Sequence, residues 1–156
     1  MSDVTVAVVT AVATVAAGAL GAFWSYKVNN KSILIKTVTE ERAKWRNDLR
    51  SVFGEFTSLT YEQINNSNAS NKPRIHELKS NIVLRVNYKK KHKLDNDIVR
   101  LCEIIVTGLD NGSSKEVVLR NLYLLEEKLQ QLIKQEWDKS KEEAVTGKIE
   151  RRKKIT

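Results

Sequence analysis

The first 26 residues contain a long apolar run, with no charged side chain between Asp3 and Lys27. Residues 4–24 are Val, Ala, Thr and Gly, with one Leu, one Phe and one Trp. A helix over this run extends about 30 Å, which is the hydrocarbon thickness of a bilayer. Trp24 ends this run and Tyr26 follows it, and such amphipathic rings favour the level of the lipid headgroups. The pattern predicts one transmembrane helix within residues 1–26.

After this run, apolar residues recur at steps of three and four, which is typical of amphipathic helices. We expect the first helix to continue to about Asn66, and further helices over residues 72–88, 94–109 and 115–145. An Asp110-Asn111-Gly112 turn and Gly147 should end the last two. The apolar positions that define these helices are Leu34, Val38, Trp45, Leu49, Val52, Phe56, Leu59, Ile75, Leu78, Ile82, Val86, Leu94, Ile98, Leu101, Cys102, Ile105, Leu109, Val118, Leu122, Leu125, Leu129, Leu132 and Trp137.

These elements predict an all-α fold, in which one N-terminal transmembrane helix is followed by an antiparallel bundle of about four helices. The expected organisation is an external N-terminus and transmembrane helix over residues 1–26 and a cytoplasmic helical domain over residues 27–146. Residues 147–156 form a basic tail that we expect to be disordered. A lysine run at residues 89–93 is expected to connect the second and third helices.

The charge distribution predicts an orientation in the membrane. The chain has 27 Lys and Arg residues against 19 Asp and Glu, a net charge of +8. None of the basic residues precedes the apolar run, and Lys27 and Lys31 follow it closely. The positive-inside bias then places the C-terminus in the cytoplasm and the chain in the inner (plasma) membrane. Two alternatives are a cleaved signal peptide, although residues 1–3 lack a basic region, and a buried helix of a soluble protein.

Small residues follow helical spacing within the apolar run. Thr10, Thr14, Gly18 and Gly21 lie three or four positions apart, and such a face lets two helix backbones approach closely. The face predicts a homo-oligomer through the membrane helix. An Ala-rich helix also produces such stripes by chance, and this alternative stays open.

The sequence contains no pattern that indicates catalysis. Cys102 is the single cysteine, which excludes an intramolecular disulfide framework and a multi-cysteine zinc site. His76 and His92 have no accompanying ligand spacing, and neither phosphate-binding nor nucleophile motifs occur. We expect neither an enzyme nor a bound cofactor or metal.

The segment EERAKWRNDLR is the strongest candidate for a contact surface. On a helix, Arg42, Trp45 and Arg46 share one side with Leu49. We expect Arg42 or Arg46 to pack over the ring of Trp45. The predicted contacts with a protein partner or with anionic lipid are Arg42, Trp45, Arg46, Arg50, Lys27 and Lys31. The alternative is an ordinary amphipathic helix with solvated charges.

This segment resembles the juxtamembrane E-R-x-x-W-x-x-x-L-R motif of small, uncharacterised bacterial single-pass membrane proteins. The stretch LRVN at residues 84–87 is similar to a turn of that family, although Tyr88 stands where the family has Pro. Residues 132–141, with Glu136 and Trp137, look like its ending. The resemblance covers most of residues 33–145 and implies a helical cytoplasmic domain. Some such proteins belong to phage-defence neighbourhoods, which implies a defence role by analogy.

Three functional hypotheses follow from these patterns. The first is a non-catalytic, membrane-anchored helical module that recruits or senses a protein partner at the inner membrane, in phage defence. The second is an oligomeric effector that perturbs the membrane through its small-residue face. The third is a basic protein that binds nucleic acid, because lysine and arginine runs also attract phosphates, but no aromatic side chains alternate with them.

Overall fold

The computed structural model describes residues 3–66, 68–88 and 92–149. In these ranges the chain is helical apart from short connections, and they contain no β-strand. The helices are α1 (Asp3–Asn65), α2 (Lys72–Arg85), α3 (Lys93–Asp110) and α4 (Lys115–Thr146). The all-α prediction is confirmed. Lysines 89–91 of the predicted basic connection and residues 150–156 of the predicted tail lie outside the described residues.

α1 is a single helix of 63 residues that includes the whole apolar run. The predicted continuation of the first helix to about Asn66 is therefore confirmed. Gly54 is the one glycine between residues 31 and 61, and no proline lies there, so nothing in this part of the chain breaks the backbone ladder. The helix gives way to an Asn-rich loop, in which the Asn66 side chain accepts a hydrogen bond from the backbone N–H of Asn68 at 3.1 Å. Such local bonds compete with helix continuation.

α2 is shorter than predicted. Its backbone leaves the helical region at Val86, whose φ of −99° and ψ of 156° are extended, so the predicted end at Tyr88 is wrong. The indole Nε1–H of Trp45 donates to the carbonyl oxygen of Arg85 at 3.0 Å. This carbonyl has a partner from α1 instead of one from a further turn of α2, and the helix can end there without leaving it unsatisfied.

The predicted glycine stops are confirmed. Gly112 follows α3 with a φ of +69°, and Gly147 follows α4 with a φ of +62°. Both angles are in the left-handed region that glycine adopts without a steric cost. The N–H of Ser113 returns to the carbonyl of Gly108 at 2.8 Å, which closes the turn between α3 and α4.

The chain divides into two compact units. The terminal unit is Met1–Glu40 with Glu142–Thr156, and the central unit is Glu41–Lys141. In the terminal unit, a Cβ atom placed on Gly147 would lie 3.8 Å from the Cδ1 atom of Ile35. The residues that follow α4 therefore lie beside α1 at this level. The predicted boundary after residue 26 stays a prediction.

The central unit has a hydrophobic core to which all four helices contribute. α1 supplies Leu49 and Phe56, both without exposed surface. The other helices supply the core residues Ile75, Leu78, Ile82, Ile98, Leu101, Cys102, Ile105, Val106, Val118, Leu122, Leu125, Leu129 and Leu132. These positions follow the predicted three- and four-residue spacing. Val106 is an addition to the predicted set, because it extends the buried stripe of α3 by one position.

Polar contacts show the direction in which neighbouring helices of the central unit run. Between α2 and α3, Lys79 pairs with Glu103 at 2.8 Å and the His76 ring lies 3.0 Å from Asp110. The residue numbers rise along one helix as they fall along the other, so these two helices are antiparallel. α1 and α4 follow the same order, since Tyr61 bonds to Tyr123 and Arg46 bonds to Ser140.

Two of the apolar positions that define the predicted helices are at the surface. Leu34 is 54% exposed in the terminal unit, and Trp137 is 51% exposed in the central unit. Trp137 lies beyond Leu132, the last buried core residue of α4, and its ring contacts an arginine of α1.

Candidate interaction surfaces

α1 contains the one described stretch that is long and apolar enough to cross a membrane. The described side chains between residues 6 and 34 are all exposed, and none of the most apolar window is buried against the rest of the described chain. An uninterrupted apolar surface of this kind is costly in water, and large exposed apolar patches are typical of interaction sites. Trp24, Tyr26, Lys27 and Lys31 are exposed beside it.

The predicted association face lies on the exposed surface of this stretch. The hydroxyls of Thr10 and Thr14 donate to the carbonyls of Val6 and Thr10, both at 2.8 Å. Both hydroxyl hydrogens are therefore already bonded within α1. The hydroxyl oxygens can still accept a hydrogen bond from another group. A Cβ atom on Gly18 or Gly21 would meet nothing within 4 Å, so both glycines leave an open surface. Association through this face stays a prediction.

Trp45 connects α1 to the end of α2. Its ring is half-buried against the hydrophobic core, and its indole N–H holds the carbonyl of Arg85. Arg85 in turn donates to the side-chain oxygen of Asn81, one turn back in α2, at 3.2 Å. The structure thus gives this tryptophan a role in fixing two helices of the central unit.

Arg46 is the most deeply buried basic side chain of the predicted contact motif, with 3% of its surface exposed. Its Nη1 atom donates to the Ser140 hydroxyl at 3.1 Å and to the carbonyl of Glu136 at 3.5 Å. Its guanidinium carbon lies 5.1 Å from the ring centre of Trp137, in a cation–π contact. The expectation that Arg46 covers Trp45 is wrong, because Arg46 packs over Trp137 of α4. The alternative, that Arg42 covers Trp45, stays a prediction.

The electrostatic environment of Arg46 is dominated by positive charge. Burial lowers the pKa of its guanidinium, and the charge of Arg50 and then that of Arg42 lower this pKa further, whereas Glu136 raises it. The group still stays protonated, since an arginine does not lose its proton in a protein. Arg50 is exposed and donates to the neutral Asn47 side chain at 3.0 Å. Arg42 is half-buried on the same helix.

An open groove of about 790 Å³ lies between α1 and α4 in the central unit. Two of the predicted contact residues, Arg46 and Arg50, line it. The buried Leu49 and Leu129 connect it to the hydrophobic core. The other lining residues are Ala43, Asn47, Phe53, Gly54, Glu126, Gln130, Ile133, Lys134 and Trp137. Sequence reasoning missed the α4 side of this groove and the partner of Arg46, Ser140.

The remaining reactive residues form no metal cluster among the described residues. Cys102 lies in the core without exposed surface, and burial, followed by the charge of Glu103, raises the pKa of its thiol to about 12. Such a thiol is neutral at physiological pH and a poor nucleophile. His76 contacts Asp110, which also lies 3.9 Å from Lys72.

Comparison with protein-family models, with curated proteins and with solved structures finds no match to this chain. The segments that carry the family resemblance do contact one another within the chain. Arg46 belongs to the first of them, and Glu136 and Trp137 belong to the last.

Proposed function

We propose that this protein is a membrane-anchored, non-catalytic interaction module of the bacterial inner membrane. Residues 4–24 cross the bilayer once, with the N-terminus outside and the C-terminus in the cytoplasm. The helices of the central unit form an antiparallel bundle that recruits or senses a protein partner, in phage defence. The observation that carries this proposal is the fully exposed apolar stretch at the start of α1.

Two further features support the proposal. The apolar stretch is followed by exposed aromatic and basic side chains, Trp24, Tyr26, Lys27 and Lys31, in the order that a membrane–cytoplasm boundary requires. The central unit presents an open groove with basic lining residues, and this groove supports the proposal that the unit binds a partner.

The anchor is tested by washing membranes with alkaline carbonate after expression of the full-length chain. We expect the protein to stay in the membrane pellet. Val12→Lys places a charge at the middle of the predicted span, which costs about 2.5–3.5 kcal/mol of insertion free energy and should move protein to the soluble fraction. Thr37→Lys adds the same charge at an exposed position of α1 outside the span and should stay in the pellet.

Release of the wild-type chain by carbonate would refute the anchor and with it the proposed function. Orientation is tested with a protease added to spheroplasts. A tag on the C-terminus should be protected and a tag on the N-terminus should be cleaved, and the reverse pattern would contradict the proposed topology.

A further inference from the structure

We infer that the groove between α1 and α4 binds an amphipathic helix that carries acidic residues beside its apolar anchors. This inference rests on the proposed function, since it names the kind of partner that the module recruits. The shape, the apolar surface and the charge of the groove each restrict the occupant.

The groove has the length and regular spacing that a helix requires. Its α1 side includes the stripe Ala43, Asn47, Arg50 and Gly54, and its α4 side includes a stripe with the same steps of four, three and four residues from Glu126 to Trp137. Each side therefore contains a stripe that runs along its helix. Eleven residues of rise correspond to about 16 Å, which is three helical turns. Partners that use this mode present anchors at the same spacing.

The groove offers apolar surface to such anchors. Phe53 and Ile133 pack partly against the core and keep part of their surface exposed, and the Trp137 ring is half exposed at one end. Gly54 has no side chain, and a Cβ atom at this position would meet nothing within 4 Å. The α1 side is consequently open enough for a side chain of the partner to enter.

The charge of the groove selects an acidic partner. Arg46, Arg50 and Lys134 line it against the single carboxylate of Glu126. Arg50 donates to a neutral amide, and among the described residues no carboxylate lies within 4.0 Å of the Arg50 guanidinium or the Lys134 ammonium. Carboxylates of a partner would meet these two cations at the rim, and a basic helix would be repelled.

The test uses the full-length chain in nanodiscs of zwitterionic lipid. The probe is a blocked peptide of about 16 residues with leucines at steps of four, three and four, flanking glutamates and a neutral fluorophore. A matched peptide has lysine in place of every glutamate. Fluorescence anisotropy should show that the glutamate peptide binds about tenfold more tightly, and that this preference shrinks at high salt.

Reversal of the groove charges supplies a readout that a merely structural change would not produce. In Arg50→Glu/Lys134→Glu the preference should invert, so that the lysine peptide binds more tightly. Lys44→Glu/Arg100→Glu makes the same change of charge at two exposed residues that do not line the groove, and it should retain the wild-type preference.

A steric variant tests the location without altering charge. Gly54→Phe places a ring in the groove from a position at which a Cβ atom meets nothing within 4 Å, so the fold should be kept and binding should fall at least about tenfold. Ser51→Phe adds the same ring to an exposed position of α1 that does not line the groove, and its binding should equal that of wild type.

The inference is overturned if the wild-type chain binds neither peptide or both equally, or if Gly54→Phe binds like wild type. It is also overturned if binding requires a second copy of the chain, which would appear as a dependence on the number of chains per nanodisc. Each of these results leaves the carbonate-wash experiment unaffected, so failure of the groove and failure of the membrane anchor are distinguishable.

Discussion

The contact between Arg46 and Ser140 permits a double-mutant cycle with a calculable outcome. Ser140→Ala removes the hydroxyl that accepts from the guanidinium at 3.1 Å. Arg46→Met removes the charge but keeps an unbranched side chain against the Trp137 ring. The two single variants and the double variant isolate the energy of this one hydrogen bond.

The magnitude follows from the burial of both partners. Arg46 and Ser140 are 3% and 2% exposed, so water cannot replace the lost acceptor. A hydrogen bond from a charged donor contributes about 1.5–3 kcal/mol in such a site. The higher helix propensity of alanine compared with serine offsets about 0.5 kcal/mol of this loss. Ser140→Ala should therefore lower the free energy of unfolding by about 1–2.5 kcal/mol.

In the Arg46→Met background the same serine change should raise the free energy of unfolding by about 0.5 kcal/mol, because the gain in helix propensity remains and no buried donor is left without its acceptor. The coupling energy of the cycle is then about 1.5–3 kcal/mol. Thermal unfolding of the full-length chain in micelles, followed by circular dichroism at the helix band, measures each variant. For a unit of this size, 1 kcal/mol corresponds to roughly 4–8 °C in Tm.

Ser80→Ala is the matched control. The Ser80 hydroxyl also donates to the carbonyl four residues back, at 3.0 Å, as the Ser140 hydroxyl does at 2.7 Å. Ser80 is exposed, so its replacement should change the stability by less than about 0.5 kcal/mol. An equal loss from Ser140→Ala in both backgrounds would refute the reasoning, since it would mean that Arg46 gains nothing from this hydroxyl.

Three further predictions concern other parts of the central unit. Trp45→Phe keeps an aromatic ring but removes the donor to Arg85, and it should cost about 1 kcal/mol in chemical unfolding. Cys102 should react with a disulfide reagent at pH 8 only as fast as the protein opens, because its thiol is buried and its pKa is raised to about 12. The hydrogen bond from Arg74 holds the pKa of Glu55 below the usual range of a glutamate, so the pair stabilises the fold at neutral pH and loses its effect as the pH falls through that lowered pKa. Glu55→Gln should therefore lower Tm near neutral pH, and the difference from wild type should shrink as the pH falls through the lowered pKa of Glu55.

Each of these predictions has a control and a contrary outcome. Trp24→Phe changes an exposed ring and should leave the unfolding midpoint unchanged, so an equal loss in both variants would contradict the role of the indole N–H. In denaturant, Cys102 should react at the rate of a free thiol, and the same rate in the folded protein would contradict its burial. Glu62→Gln changes an exposed glutamate of α1, and a pH-independent effect of Glu55→Gln would contradict the ion pair.

The helices could be predicted from sequence because their signals are local. The three- and four-residue spacing identifies Leu122, Leu125 and Leu129 as one face of α4, and each of them is buried. Gly112 and Gly147 mark helix ends because their left-handed backbone is costly for other residues. The end of α2 was predicted wrongly because the bond that satisfies Arg85 comes from a residue 40 positions earlier in the chain.

Of the groove between α1 and α4, only residues on the α1 side could be predicted as contact residues from the sequence. The spacing within the first motif places Arg42, Arg46 and Arg50 on neighbouring turns, and two of them do line the groove. Periodicity does not tell which helix faces a given stripe. The spacing therefore could not identify the partners of Arg46. Arg42 or Arg46 was assigned to the ring of Trp45, whereas Arg46 lies over the ring of Trp137. The groove also depends on the spacing between two helices, which no local pattern records.

The pairing of α1 with α4 has a consequence for biosynthesis. The bond between Arg46 and Ser140 joins residues 94 positions apart, and a ribosome needs about 5–20 s to add that many residues. Leu49 and Phe56 are thus made long before the helix that helps to cover them, whereas a helix itself forms in about a microsecond. Every nascent chain passes through an interval in which this apolar face is available to chaperones or to a neighbouring chain. An mRNA truncated before the codons of α4 would yield a protein in which this apolar face stays exposed.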